Sequence, residues 1–436
     1  MKRVVVLGGG LAGLSGAFHL PEYEPAVFEK ESEIGGICRS FRQDGFTFDV
    51  TGHLLHLKHD YTKALIDDLL PGAFAPHERR ASIYSKGCTT PYPFQANTHG
   101  LPDAVVRDCL LGFIETLNRD VPAPENFEEW VLQTFGRGIA EHFMLPFNEK
   151  FWRRDLRTVT ADWVSWSIPK PSLEDVVNGA LGIVNRNMGY NPTFRYPKTG
   201  GIDCLPRALA RRAGRIQVDH AVAGIDSRRR RVRFSNGRDE AYDCLLSTLP
   251  LPRVFELLDE VPDSLRSAAR GLQVVSILNI NIGVGRPGVS DQHWLYFPEP
   301  RHVFTRVGFP MNFSDDAGPE GASSLYIEIT HRPESPPDLE AVYQRALADL
   351  VACGILTPDD EILTRHVIPI PHAYVVFDRH RQTHLPDLIQ YLEDRDIIVA
   401  GRYGDWDYYS MEDTILSGKR AAEKIAARID AVSTIA

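Results

Sequence analysis

The fold is decided by residues 3–29, RVVVLGGGLAGLSGAFHLPEYEPAVFE. The stretch opens with a β-branched apolar run over 3–7, which is typical of a buried parallel strand. Apolar residues at helical spacing follow over 11–20, and residues 25–29 have the character of a second strand. A strand, a glycine-rich turn, a helix and a strand in such short succession predict a βαβ unit.

The glycines of this unit fall in the G-x-G-x-x-G pattern of a dinucleotide site. Gly8 permits the tight turn, Gly10 lets the backbone approach a pyrophosphate, and Gly13 lets helix and strand pack closely. The positive N-terminus of the helix then faces the phosphates. Glu29 ends the second strand about twenty residues further on, where a carboxylate can accept ribose hydroxyls. The unit therefore predicts a bound dinucleotide.

A second glycine pair indicates which dinucleotide this is. Residues 33–40 read EIGGICRS and place Gly36 and Arg39 just after the acidic strand end. Arg39 can neutralise pyrophosphate charge, although it could also be a surface charge. The arrangement resembles the two-dinucleotide-fold flavoproteins, the broad amine-oxidase and phytoene-desaturase-like group, and this resemblance implies FAD rather than NAD.

The C-terminal end carries a motif that resembles the same group. Gly401 and Arg402 follow a strand, and Asp413 precedes a long helix. In the group, such a motif closes over the flavin ribityl chain. Asp413 could equally be only a helix N-terminal charge.

Length and composition exclude several classes of function. The 436 residues suggest two or three closely connected domains. With 48 basic and 58 acidic residues the net charge is −10, so a nucleic-acid partner is not expected. The one basic run, Arg228 to Arg231, is best explained as a solvated hairpin edge. The sequence contains no apolar window of about 18 residues, so no membrane span is predicted.

Cysteine usage bounds the chemistry further. The six cysteines form no CxxC pair, and no histidine cluster has metal-ligand spacing. No metal site is therefore predicted. Free thiols of this kind are typical of a reducing compartment, so a cytoplasmic enzyme is expected.

These patterns together predict an α/β fold with three parts. A Rossmann-like FAD-binding domain takes residues 1–90, 200–250 and 390–436, so the chain leaves it and returns. Amphipathic stretches predict a helical insertion over 98–195. Alternating strand-like pieces predict a mixed or antiparallel β-sheet substrate domain over 251–389.

Further segments narrow the family. They are FDVTGH (48–53), PYPFQ (91–95), FMLPFNEKFW (143–152), NPTFRYPKTGGI (191–202), WLYFP (294–298) and GDWDY (404–408). Together they resemble the UDP-galactopyranose mutases, and the eukaryotic type more than the common bacterial type. The resemblance runs over most of the chain, from Val4 to about Ile425.

The resemblance implies a reaction without net redox change, the interconversion of pyranose and furanose forms of a nucleotide sugar. In that family N5 of reduced FAD attacks the anomeric carbon and displaces the nucleotide diphosphate. NAD(P)H is the expected activating reductant, and the sequence is compatible with a homo-oligomer. The alternative is an FAD-dependent oxidoreductase of the amine-oxidase or protoporphyrinogen-oxidase type. A third interpretation is a flavin-binding protein without catalysis.

The resemblance also assigns roles to individual side chains. His53 and Arg402 match residues beside the flavin, and Arg306 matches an arginine that pairs with the diphosphate. Arg79, or its neighbour Arg80, matches another arginine near the flavin. The residues that match contacts to uridine, sugar and diphosphate are Tyr92, Gln95, Asn191, Trp294, Tyr296, Tyr374 and Tyr408. Core packing would account equally well for any single aromatic residue among them.

One position departs from the family pattern. The family has a second diphosphate arginine shortly after the tryptophan that Trp163 matches, and Ser167 stands there in this chain. Losing one charge-assisted contact to a diphosphate costs about 2 to 3 kcal/mol unless another cation replaces it. Lys170, Arg153 and Arg154 are candidates for that replacement. Otherwise the substrate is a different nucleotide sugar, or the chemistry has changed.

Overall fold

A computed structural model describes residues 2–117, 120–164, 168–183, 188–189 and 191–435. The strands, in chain order, are β1 Val4–Leu7, β2 Ala26–Phe28, β3 Ser40–Gln43, β4 Phe46–Asp49, β5 Phe74–Glu78, β6 Ala81–Ser85, β7 Cys88–Pro91, β8 Thr193–Pro197, β9 Arg215–Gln217, β10 Val222–Asp226, β11 Arg231–Phe234, β12 Asp239–Ala241, β13 Cys244–Ser247, β14 Val274–Val284, β15 Trp294–Tyr296, β16 Arg306–Gly308, β17 Ser323–His331, β18 Ile362–Val375 and β19 Ile397–Val399.

The α-helices are given in the same order. They are α1 Leu11–Phe18, α2 Asp60–Leu69, α3 Asp103–Ile114, α4 Phe127–Ile139, α5 Leu145–Trp152, α6 Leu173–Ala180, α7 Cys204–Ala210, α8 Leu251–Leu257, α9 Asp263–Arg270, α10 Leu339–Ala352, α11 Arg379–Glu393, α12 Gly401–Gly404 and α13 Met411–Ile435. A π-helical turn over Ala140–Met144 connects α4 to α5. No described helix is long and apolar enough to cross a membrane.

A five-stranded parallel sheet forms the nucleotide-binding part. Its order is β19-β13-β1-β2-β9, and every neighbouring pair is parallel. β1 is central and buried along its whole length because its apolar side chains are covered on both faces. β1, α1 and β2 confirm the predicted βαβ unit. The last helix, α13, lies against α1, where the Ser15 hydroxyl donates to the Ile415 carbonyl at 2.7 Å.

A seven-stranded mixed sheet forms the second layer, in the order β18-β14-β17-β16-β15-β6-β7. Leu278, Ile280 and Ile282 alternate along β14 and pack in a core cluster that also holds residues of α10. The opposite face carries polar side chains and looks toward the nucleotide-binding part. There the Asn279 amide donates to the Asp49 carbonyl at 3.5 Å. The two sheets and the helices of the middle segment confirm the predicted α/β class.

Some segments lie elsewhere than the sequence grouping suggests. The sequence pattern places residues up to 90 in the FAD-binding domain, but β6 pairs in parallel with β15 of the large sheet. The connection between β10 and β11 is the predicted hairpin edge. Its arginines are exposed, and Arg229 and Arg231 form ion pairs with Asp226 and Asp239. The outer domain boundaries stay a prediction.

Candidate active site

The first glycine turn has the geometry that close approach of a phosphate requires. Gly8 has a φ of +102°, a conformation that L-residues with side chains rarely adopt. A Cβ on Gly13 would lie 2.0 Å from the Gly8 carbonyl oxygen, so only glycine lets α1 come this close to the turn. The Gly9 amide donates to the Glu29 carboxylate at 2.7 Å. Glu29 therefore holds the glycine turn to the end of the second strand, and its contact with ribose hydroxyls stays a prediction.

The second glycine pair lies directly against the first. The Gly35 amide donates to the Gly9 carbonyl at 2.8 Å. Gly10 and Gly35 form a parallel bridge. A Cβ on Gly10 would meet only the Gly36 Cα, at 3.8 Å, whereas a Cβ on Gly36 would lie 3.3 Å from the Gly10 Cα. Two bare backbone segments facing one another suit a pyrophosphate, which binds to amide groups at short range.

Unpaired donors next to this cleft provide an independent test of the fit to FAD. Nε of Arg39, and Nε and Nη2 of Arg402, are buried and lack a hydrogen-bond partner among the described residues. Buried guanidinium N–H groups normally have acceptors. An anionic, acceptor-rich group such as FAD would supply them. The residues present therefore fit the cofactor.

Asp413 has a clear structural role. Its carboxylate accepts hydrogen bonds from the Ser410 amide at 3.0 Å and from the Ser410 hydroxyl at 2.7 Å. The Ser410 hydroxyl in turn accepts from the Asp413 amide at 3.2 Å. This reciprocal pair caps the start of α13. Contact of Asp413 with the ribityl chain stays a prediction.

A row of polar side chains crosses the large sheet at the centre of the candidate site. Tyr296 pairs with Arg306 across β15 and β16, and Arg306 pairs with Glu328 across β16 and β17. Because directly paired residues project to the same face, all three side chains lie side by side. Tyr326 belongs to the neighbouring row, and a Cβ on Gly308 would lie 2.0 Å from its ring. The Tyr326 ring therefore covers Gly308.

Arg306 is buried with a carboxylate beside it. One Nη of Arg306 donates to the Glu328 carboxylate, and the Glu328 side chain is only 3% exposed. Burial opposes the charge of Arg306, but Glu328 and the surrounding tyrosines hold its pKa well above the usual value. Nε of Arg306 has no partner among the residues described. Arg306 is thus a permanent cation with a donor left for a ligand.

A second cation lies under two stacked phenols. The rings of Tyr374 and Tyr408 are parallel to within 8°, with centroids 5.6 Å apart. The Arg402 guanidinium carbon lies 4.9 Å from the Tyr374 ring centroid and 4.5 Å from that of Tyr408. Cation–π contacts of this kind stabilise a desolvated guanidinium by about 2 kcal/mol. The structure therefore brings together three residues that the sequence assigns to the site.

His53 is neutral and its ring orientation is fixed. Nδ1 lies next to the Val50 carbonyl, which can only accept, so Nδ1 carries the proton and Nε2 keeps its lone pair. Burial, together with the charges of the Arg402 and Arg306 guanidiniums, lowers the pKa of His53 to about 4. His53 therefore lies close to both cations. In this cleft it can accept a hydrogen bond but does not act as an acid at neutral pH.

Arg79, and not Arg80, points into the site. The Arg79 guanidinium donates to the Asn191 side-chain oxygen at 2.9 Å and lies 4.6 Å from the centroid of the Tyr92 ring. The Asn191 amide nitrogen lies 3.3 Å from Nε2 of His56, so both ends of the Asn191 side chain are oriented. Arg80 instead donates to the Asp291 carbonyl at the surface.

The remaining predicted contacts differ in their surroundings. Tyr92 and Tyr296 lie next to each other, with ring centroids 5.5 Å apart. Gln95 is buried and its amide donates to the Pro169 carbonyl at 2.9 Å. Trp294 is buried in the core cluster that includes Phe194, with ring centroids 6.1 Å apart. Substrate contact by Gln95 and Trp294 stays a prediction.

Several residues of the site were not found from the sequence. Glu328 pairs with Arg306, and a lone carboxylate in the apolar strand SLYIEIT was the available signal. Phe147 and Phe151 lie one helical turn apart on α5, with ring centroids 5.7 Å from Tyr296 and 4.4 Å from Tyr374. They add an apolar wall to an otherwise polar cleft.

Each of the three cations that could replace the second diphosphate arginine contacts another part of the protein. Ser167 lies outside the described residues. Lys170 lies 5.5 Å from the Trp130 ring centroid in the helical part. Arg153 donates to the Thr330 carbonyl at 2.8 Å, and Arg154 donates to the Val274 carbonyl at 3.1 Å. Each of the three cations is thus engaged in holding the protein's own structure.

This fold and site define a flavoprotein class. The chain belongs to the flavin-containing amine oxidoreductase family, whose sequence profile matches residues 11–426. Members of that family contain flavin, so the family implies FAD as the cofactor.

Comparison with individual proteins is more specific. The crystal structure of reduced UDP-galactopyranose mutase is similar over 98% of this chain and 94% of that chain, at 28% identity and a TM-score of 0.93. A redesigned putrescine oxidase is similar over 98% and 99%, at 14% identity and a TM-score of 0.70, and this likeness shows the fold alone. By sequence, 4,4'-diapolycopene oxygenase from Methylomonas sp. is 22% identical over 438 positions, covering 83% of each chain.

Proposed function

We propose that the protein is a flavin-dependent mutase that interconverts the pyranose and furanose forms of a nucleotide sugar, with UDP-galactopyranose as the first candidate. The observation that carries the proposal is the row of Tyr296, Arg306 and Glu328 beside the stack of Arg402 and Tyr408. Buried cations and phenols on one cleft suit an anionic, hydroxyl-rich ligand. Similarity to UDP-galactopyranose mutase over nearly the whole chain supports the same conclusion.

The charge balance of the cleft favours a diphosphate. Arg79, Arg306 and Arg402 contribute three positive charges, and Glu328 contributes one negative charge. His53 adds none, because its pKa lies at about 4. The excess of about two positive charges suits anionic ligands, a diphosphate beside Arg306 and a reduced flavin beside Arg402. An amine or an apolar substrate would leave these cations without a counter-charge.

The side chains divide the work of the proposed reaction. Reduced flavin, when bound, supplies a nucleophile at N5. Arg306 holds the departing diphosphate, and Glu328 fixes the guanidinium so that no reorientation is needed during the reaction. The hydroxyls of Tyr296, Tyr374 and Tyr408 donate to phosphate oxygens. Arg402 stabilises negative charge from below, within the apolar surroundings of the stacked rings.

The second candidate is an FAD-dependent oxidoreductase. The observations that favour it are the apolar wall of Phe147 and Phe151 and the similarity to 4,4'-diapolycopene oxygenase. Such an enzyme would consume an electron acceptor in every turnover.

A single experiment separates the two candidates. The purified holoenzyme is reduced anaerobically with dithionite and incubated with a panel of nucleotide hexoses, and products are separated by chromatography. We expect a furanose partner to form without consumption of reductant, and no product from the oxidised enzyme. Absence of any ring-isomerised product across the panel would contradict the mutase. In a parallel aerobic incubation without dithionite, substrate-dependent oxygen uptake would support the oxidoreductase.

A further inference from the structure

A buried arginine behind the active site holds the turn that presents Tyr408. Arg381 lies in the first turn of α11, and its side chain is only 12% exposed. Its guanidinium carbon lies 4.4 Å from the Phe377 ring centroid, and its Nε donates to the Trp406 carbonyl at 2.9 Å. Arg381 is not among the site residues assigned above.

The carbonyl that Arg381 holds belongs to a residue in an unfavourable conformation. Trp406 is 1% exposed and has a φ of +52°, in the left-handed region that bulky side chains rarely adopt. This conformation costs about 1 to 2 kcal/mol and persists only where the surroundings fix it. The Asp407 amide closes the same turn by donating to the Arg402 carbonyl at 3.0 Å.

The contacts continue from Arg381 to Tyr408. Nη2 of Arg381 lies 3.8 Å from Oδ1 of Asp407. That same oxygen accepts the Tyr408 amide proton at 2.7 Å. Tyr408 then stacks on Tyr374 above Arg402. One buried guanidinium therefore contacts two consecutive residues of the turn, and the next residue enters the active site.

Stability alone does not account for this arrangement. Burial lowers the pKa of Arg381, so the protein holds this cation at an energetic cost. Asp407, Asp162 and Asp378 offset part of that cost through their charges. The ion pair with Asp407, whose side chain is 38% exposed, contributes little net stability, and a specific geometry is the best-supported benefit of a buried cation of this kind.

The geometry points to Arg381 as a positioning residue that acts through Tyr408, holding the 405–408 turn so that the Tyr408 ring stays above Arg402. The inference rests on the proposed function for its consequence, since Tyr408 would then contact the diphosphate. The inference goes beyond the proposed function because Arg381 would affect the affinity for the nucleotide without contacting the nucleotide.

The test uses Arg381→Met, which keeps the packing on Phe377 and removes the hydrogen bond. Crystal structures of the flavin-bound variant should show the Tyr408 ring displaced from Tyr374. The matched control is Arg379→Ala, two residues away on the same helix, whose ion pair with Glu125 is exposed. The control should keep the stacked rings. A Tyr408 ring that still lies parallel to Tyr374 in Arg381→Met would overturn the inference whatever the substrate is.

A binding measurement adds a readout that loss of stability alone would not produce. Flavin absorbance changes on addition of UDP give its Kd, which we expect to rise about tenfold in Arg381→Met, the change expected from losing one hydrogen bond to phosphate. Adding Tyr408→Phe should cause no further rise, and Arg381→Lys should restore most of the affinity. Independent, additive losses would contradict action through Tyr408. If the unaltered protein does not bind UDP, the proposed function fails, and the crystal structures still decide the role of Arg381.

Discussion

Arg306 and Glu328 are direct cross-strand partners on β16 and β17, and their side chains form an ion pair on the face of the sheet that carries Tyr296. Backbone pairing therefore fixes the orientation of the guanidinium before any ligand arrives. Such preorganisation makes a charged group effective in catalysis, because no reorientation accompanies the reaction.

Glu328→Gln should separate the charge of this pair from its shape. Glutamine keeps an acceptor for Arg306 but leaves the buried cation without a counter-charge, so the free energy of unfolding should fall by about 2 kcal/mol. Urea unfolding monitors this change. Glu340→Gln is the control, because Glu340 is 60% exposed in its pair with Arg365 and its substitution should leave the urea midpoint nearly unchanged. Equal effects of the two substitutions would contradict the buried pair.

Gly10→Ala and Gly13→Ala should affect different properties, FAD binding in the first case and stability of the fold in the second. A Cβ on Gly13 would lie 2.0 Å from a backbone oxygen, so the fold itself should be destabilised by several kcal/mol, on the order of 3. A Cβ on Gly10 meets nothing closer than 3.8 Å, so the apoprotein should keep its melting temperature and lose FAD. Flavin content and apoprotein melting curves measure the two effects. Full flavin occupancy in Gly10→Ala would show that the cleft is not the pyrophosphate site.

Arg402→Met should make the bound flavin harder to reduce. Removing a buried positive charge disfavours an anionic reduced flavin, and we expect a midpoint potential about 30 mV more negative. Spectroscopic redox titration measures the potential. Arg420→Met removes an exposed arginine on α13 and serves as the control. A potential that does not change in Arg402→Met would mean that Arg402 does not reach the flavin.

Acid should destabilise the protein before its ordinary carboxylates are protonated. Burial lowers the pKa of His53, His56 and His293 to about 4, whereas unfolded histidine titrates near its usual value of 6.5. Between these values the unfolded chain binds protons that the folded protein does not. The free energy of unfolding should therefore fall as pH decreases from about 6.5 to about 4, and it should be level above 6.5.

Asp49 acts in the opposite direction over part of this range. Burial raises its pKa from 3.8 to about 6, so the folded protein binds a proton there that the unfolded chain lacks. Three histidines outnumber this one carboxyl group, and Asp49→Asn should make the loss of stability steeper. The slope of unfolding free energy against pH is measured from urea midpoints at roughly pH 4.5 to 7.5, the range in which proton linkage predicts the change. Asp60→Asn, at a fully exposed position, should leave the slope unchanged.

Local patterns in the sequence predicted the backbone around the first glycine turn. The close packing at Gly13, the turn at Gly8 and the position of Glu29 at the strand end follow from short-range backbone geometry, and the structure has all three there. The family resemblance implies roles for Arg306, Arg402 and His53, which lie near one another in the structure, and these roles stay predictions. It did not distinguish Arg79 from Arg80, because burial of one of two adjacent arginines depends on tertiary packing.

Residues whose role depends on distant partners were missed. Glu328 becomes informative only when strand register places it opposite Arg306. The role of Arg381 becomes visible only when the turn around Trp406 lies against α11. Trp406 is 25 positions after Arg381 in the sequence, so no local pattern connects the two residues. Asp413 shows the converse case, since its capping of α13 is a local feature that the sequence alone indicates.

The parallel sheet is assembled from segments that lie far apart in the chain. β1 is flanked by β2 and β13, and β19, the last strand of the sheet, spans Ile397–Val399. During synthesis the first glycine turn therefore leaves the ribosome long before β13 and β19 are available to complete the sheet. We expect the early βαβ unit to remain unable to retain its cofactor until the closing strand emerges, so flavin capture should be a late event in biogenesis and should report that the whole chain has folded.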